Sequence, residues 1–238
     1  MLGNQVEERA QYGSAAQSQA VTVFLAKVFN WMAIGLGLTA VVAFLVASSP
    51  TAINFFVMNR AVLFGLIIAE LGLVIYLSAR IEKLQAGTAT SLFLLYSILN
   101  GITLSAILLL YTATSVATTF VVTAGMFGSM AIYGFVTKKD LSSWGSFLFM
   151  GLIGIILATL VNFFFQSSMM SWVISGIGVI VFTGLTAYDV QRISRMGASV
   201  MSGSHESIKK MAVLGALTLY LDFINLFLML LRFLGNRE

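Results

Sequence analysis

The stretch Met211–Leu231, MAVLGALTLYLDFINLFLMLL, carries a single charge, Asp222. A helix crosses about 30 Å of hydrocarbon in roughly twenty residues, and this run has that length and composition. A carboxylic acid in its middle is penalised by roughly 2.5–3.5 kcal/mol on insertion scales. A chain that keeps one there uses it or pairs it. The run before it, Ser171–Val190, reads SWVISGIGVIVFTGLTAYDV and places a second acid, Asp189, near its end.

The rest of the chain repeats the apolar pattern. Of 238 residues, 59% are hydrophobic and 9% charged, with a mean hydropathy of +0.97. A soluble globule has about 25% charged residues, so the medium is lipid. Apolar runs occur at Val28–Ser48, Ala61–Ala79, Ala89–Tyr111, Ser115–Val136, Trp144–Phe165, Ser171–Val190 and Met211–Leu234. The expectation is an all-α integral membrane protein, a bundle of seven transmembrane helices over residues 23–235. Residues 1–22, rich in Gln, Ser and Ala, read as a mobile polar cytoplasmic tail without the basic start and cleavage site of a signal peptide.

Seven spans put the termini on opposite sides. Ten of the thirteen basic residues, among them Arg80, Lys83, Lys138, Lys139, Arg192 and Lys210, then share the amino-terminal side. Only Arg60, Arg232 and Arg237 fall on the other. The positive-inside rule predicts a cytoplasmic amino terminus and an external carboxyl terminus. The net charge of +4 is thereby a topology signal, and no nucleic-acid partner is needed to explain it; the bilayer is the partner it implies. The absence of cysteine excludes disulfides and thiol chemistry. Pro50 is the only proline, so proline kinks are unavailable, while Gly151, Gly154 and Ala158 have the spacing of a close helix contact. The connection Gln191–Lys210 reads as the longest loop, cytoplasmic, and its His205, with no Cys or His companion, as a solvated side chain without a metal role.

Helical spacing groups the polar residues of the spans. Thr183, Thr186 and Asp189 share a face, as do Thr218, Asp222 and Asn225, and Ser97, Asn100 and Thr103. Such faces point inward, because lipid leaves their donors unmatched. Glu70 sits halfway along the second span and Arg80 closes it. Three plain roles stand beside any functional one: interhelical hydrogen bonds for Ser, Thr and Asn, an ion pair of an aspartate with Arg80 or Arg192, and a neutral, hydrogen-bonded Glu70. Two carboxylates in hydrogen-bonding reach do not both ionise cheaply and titrate as a unit. Ionised, they offer hard oxygen ligands suited to Ca²⁺, so Asp189 and Asp222 are candidate Ca²⁺ ligands if they meet.

KKDLSSWGSFLFMGL from Lys138, FTGLTAYDVQRI from Phe182 and LTLYLDFINLFLMLLRFLG from Leu217, with GITL at Gly101 and IIAELGL around Glu70, resemble the transmembrane Bax inhibitor motif family (Bax inhibitor/YccA-like) in its bacterial branch. The resemblance covers nearly everything after the polar tail. It implies a multi-pass protein of the bacterial inner membrane whose seventh helix is central. It further implies a paired-aspartate pH sensor at Asp189 and Asp222, and a pH-dependent Ca²⁺ leak with Ca²⁺ and protons as the species moved. Family members carry an arginine near the cytoplasmic end of the second helix that exchanges partners with the pair; Arg80 is the nearest match. Glu70, Asn100, Thr186 and Asn225 are the candidate ion path.

Other functions compete with this one. Some bacterial relatives are similar to modulators of a membrane protease, so a non-transporting regulator bound to a protease or another membrane protein, by its tail, is the main alternative. An intramembrane aspartyl protease also needs two membrane-embedded aspartates. Tyr188–Asp189 matches half of that signature, but Leu219, Tyr220 and Leu221 precede Asp222 where a glycine would be needed. A proton-coupled transporter would use the same acids in a relay, yet no inverted repeat is visible. No phosphate loop, metal-ligand cluster or nucleophile motif appears, so neither an enzyme nor a resident cofactor is expected.

Overall fold

The computed structural model describes the backbone of residues 2–200 and 203–236, and side chains from residue 18 onward within those ranges. Seven long helices account for nearly all of it: α1 (Leu2–Ala47), α2 (Arg60–Arg80), α3 (Ala86–Leu108), α4 (Ala113–Val136), α5 (Ser142–Phe165), α6 (Ser168–Val200) and α7 (His205–Leu234). Each contains a stretch long and apolar enough to span a membrane. The seven-helix expectation holds. In α1 the apolar stretch begins at Ser18, and helical backbone continues through the polar residues before it to Leu2.

Polar residues set the helix ends. Asn59 caps α2 by accepting from the amides of Ala61 and Val62. Thr112 caps α4 through Ser115, and Ser204 caps α7 through Ser207. These caps satisfy amides that a helix start leaves without partners. A helical turn at Pro50–Ala52 and a wider one at Ile53–Val57 join α1 to α2. The turn from α5 to α6 is made by Gln166, whose φ of 50° is left-handed. Asn162 steadies that turn: its Oδ1 accepts from the Ser167 amide at 2.9 Å, and its Nδ2 donates to Ser171 Oγ at 2.7 Å.

The connection between the last two helices differs most from the sequence expectation. The predicted loop Gln191–Lys210 is mostly helix, because α6 runs on to Val200 and α7 starts at His205. The apolar count ends at Val190, but Ile193, Gly197 and Ile208 continue a buried stripe on these extensions, and a one-sided stripe is what a helix above the lipid needs. His205 is exposed in the first turn of α7.

Burial is unevenly shared. Helix α7 is the most buried of the seven spans, and α2 and α5 are the least. Leu217, Leu219, Tyr220, Leu226 and Leu231 of α7 are fully buried, and α7 packs on α6, α1, α4 and α3. Helix α2 leans mainly on α3, and α5 on α6. Their outer faces carry large exposed side chains such as Ile68, Ile75, Phe147 and Phe164, which is normal only where the solvent is hydrocarbon.

Glycines set the closest approaches, as expected where lipid gives helices no hydrophobic reason to associate, and of the two predicted glycines Gly151 is among them while Gly154 is not. A Cβ on Gly151 would come 3.0 Å from Val181 Cγ2, whereas Gly154 has nothing within 4 Å. The tightest contacts are Gly134 against the Ala187 backbone and Gly145 against the Tyr188 ring, both holding α6 near Asp189.

Candidate functional site

Asp189 on α6 and Asp222 on α7 are brought together. Both are buried, with 7% and 5% of their surface exposed, and their carboxyl groups are in hydrogen-bonding contact. A contact between two carboxyls is a hydrogen bond only while one of them carries a proton. Among the described residues, no donor reaches the buried Oδ2 of Asp222. The cation beside the pair is Arg192, one turn along α6, with Nη1 3.9 Å from Asp189 Oδ1. Arg80 stands exposed at the end of α2 and does not share this ion pair. Of the two arginines the sequence offered as partners, the structure selects the one on the same helix.

The pair faces a cleft of about 930 Å³ bounded by α2, α5, α6 and α7, with Tyr96 of α3 at its back. Glu70, Asp189, Asp222, Thr218 and Asn225 all line it, and Arg192 and Arg232 lie on its wall. Asn100 and Thr186, also expected along an ion path, are not on its wall. Thr186 is buried and donates to its own helix, to the Phe182 carbonyl at 2.8 Å. Thr218 and Asn225 likewise donate to the Leu214 and Leu221 carbonyls, which leaves the threonine and asparagine side-chain oxygens to the cleft. Among the described residues, no group of three or more acidic, His or Cys side chains is placed to hold a metal ion.

Glu70 has its own partners. Thr103 Oγ1 donates to its Oε1 at 2.9 Å, and Asn100 Nδ2 to its Oε2 at 3.3 Å. These bonds tie α2 to α3 inside the membrane. They extend into a network that the sequence reading missed. Tyr220 donates to Asn100 Oδ1 at 3.0 Å and lies 2.6 Å from Thr39 Oγ1, which in turn donates to the Ser97 carbonyl at 2.9 Å. The two hydroxyls supply two protons for three contacts, so one contact always lacks its proton. Phe93 and Tyr96 meet the Tyr220 ring edge-on. A tyrosine in the middle of a span was the available signal, since a buried phenol seeks a partner. Tyr220→Phe is expected to lower stability by about 1 kcal/mol, within the ~0.6–1.7 range of intramembrane hydrogen bonds, read by thermal unfolding in detergent.

Beyond the membrane end of α6, Gln191 and Arg195 clamp the loop between α4 and α5. Gln191 accepts from the Leu141 amide at 2.9 Å and donates to the Lys139 carbonyl at 2.8 Å. Arg195 pairs with Asp140 at 2.8 Å and donates to Ser142 Oγ at 3.0 Å. Hydrogen bonds from Ser142, then the Arg195 guanidinium, pull the exposed Asp140 carboxyl down to about 2. The loop's charge pair is therefore intact above the ordinary aspartate range and is lost only as pH falls toward about 2. It does not titrate near neutrality.

Residues 21–238 match the family described as "Inhibitor of apoptosis-promoting Bax1". The chain is similar to the inner membrane protein YbhL of Escherichia coli strain K12, with 57% identity over 215 residues covering 90% of this chain and 92% of the relative. A protein of Borreliella burgdorferi is 50% identical over 215 residues with the same coverage, and one of Rickettsia prowazekii is 44% identical over 217 residues, 90% of each chain. The chain is thus a multi-pass protein of the bacterial inner membrane, and it belongs to the Bax inhibitor family, whose members are membrane regulators rather than enzymes.

Proposed function

We propose that the protein is a pH-regulated Ca²⁺ leak, with Asp189 and Asp222 as its proton sensor and the cleft as its cation path. The observation that carries this reading is the contact of two buried carboxyls on the wall of a cleft that also holds Glu70 and Asn225. While one proton is shared, α6 and α7 are joined at that level. Its loss places two like charges in contact, which is costly away from water, and the helices bounding the cleft separate. The released carboxylates then offer oxygen ligands to Ca²⁺. The joined state holds one more proton than the open one, so raising the pH favours opening. A two-state element biased by a charge change is all that such a switch requires.

In this reading α7 is the central helix, in keeping with its burial, and the amino terminus is cytoplasmic, in keeping with the charge bias of the loops. Arg192 is the cation that holds Asp189, and Arg80 is a second partner once α2 shifts. Ca²⁺ flux from loaded liposomes, measured against pH, tests the proposal. A flux that does not change with pH would sink it.

The alternative is a regulator without transport, bound to a membrane protease or another inner-membrane protein. The polar amino-terminal part of α1, continuing beyond the apolar stretch, favours a contact there. Removing residues 2–17 separates the two readings. The leak survives the truncation unchanged, whereas a partner contact made by the tail disappears in co-purification.

A further inference from the structure

We infer that the cleft also binds a phospholipid of the surrounding bilayer, with one acyl chain between α2 and α5 and the phosphate at Arg192, Tyr188 and Ser146. The cleft opens between the two least covered helices. Its walls there are Ile67, Leu71, Val74 and Ile75 on one side and Phe149 and Ile156 on the other, most of them strongly exposed. In a seven-span chain the neighbour at that opening is hydrocarbon, and an apolar mouth open to hydrocarbon fills with it. On α7 the lining runs from Thr218 to Arg232, about 20 Å at 1.5 Å per residue. One leaflet's hydrocarbon is about half of 30 Å, so an acyl chain fits along the slot.

One end of the slot carries the chemistry for a phosphate. Arg192 is 69% exposed and touches Asp189 only at 3.9 Å, which leaves most of its five donors for another acceptor. Tyr188 and Ser146, each with a hydroxyl, line the same cleft, and the Tyr188 ring is fixed over Gly145. A negatively charged headgroup, as in phosphatidylglycerol, answers Arg192 better than a zwitterionic one. A lipid seated there occupies the path proposed above and competes with Asp189 for the guanidinium.

Native mass spectrometry of the full-length protein, given phosphatidylglycerol or phosphatidylcholine in detergent, tests this with a readout independent of flux. The wild type is expected to retain one phosphatidylglycerol with about tenfold preference, the worth of a charge-assisted hydrogen bond. Arg192→Gln removes the preference. Leu152 also lines the cleft; Leu152→Trp fills the slot and removes retention of both lipids while its melting temperature shows it folded, and Phe147→Trp on the outer face of α5 changes neither. Equal retention in wild type and both cleft variants overturns the proposal. So does displacement by soluble glycerol phosphate, which would make the end of the slot an anion site alone. Loss of the Ca²⁺ leak reading leaves the lipid result standing, and the reverse holds too.

Discussion

In liposomes, Asp222→Asn is expected to flatten the pH dependence of Ca²⁺ flux and hold it at the low level the wild type shows in acid. Asparagine keeps the size of aspartate and donates to Asp189 without needing a proton. The α6–α7 contact then persists at every pH. The wild type exchanges one proton between joined and open states, so its flux rises by up to about tenfold per pH unit across the titration. The variant has no such slope. Asp189→Asn gives the same flat profile from the other side of the pair, though it also frees Arg192. The Asp140–Arg195 clamp contributes nothing to the slope, because it titrates far below neutral. A slope retained in Asp222→Asn would remove the pair from the gating account.

Seven spans were legible because hydrocarbon allows few sequences: every apolar run of about twenty residues became a helix. The inward polar faces were legible for the same reason, and Asn100 and Thr103 do meet Glu70. What spacing cannot show is which neighbour a face meets. Arg80 and Arg192 are equally good cations on paper, but Arg192 lies one turn from Asp189 while Arg80 depends on how far α2 leans away. Gln191 and Arg195, four residues apart on α6, read as loop residues because hydropathy ends before them. Their side chains prove to hold the α4–α5 loop. Tyr220 and Asp222 are near neighbours in sequence but point to different sides of α7, one into the α1–α3 network and one into the cleft, a division that spacing alone does not assign to partners.

The choice among glycines shows the same limit and gives the second large effect. Gly134→Leu is expected to destabilise the fold by more than about 3 kcal/mol, beyond the usual 1–3 kcal/mol of overpacking. A Cβ at Gly134 meets the backbone of Ala187, and a helix backbone cannot turn aside as a side chain can. Helix α4 must lift off α6, two residues from Asp189, and the close packing that joins helices in lipid is lost along that seam. Gly134→Ala meets the same obstacle with its first carbon and is destabilising by about 1–3 kcal/mol. Gly154, on α5, is the comparison: with nothing within 4 Å of its Cβ position, Gly154→Ala gains up to about 1 kcal/mol from helix propensity. Gly154→Leu is near neutral. Thermal unfolding of the four variants in one detergent decides the matter, since equal melting temperatures for Gly134→Leu and Gly154→Leu would mean that the α4–α6 seam is not where the bundle is held.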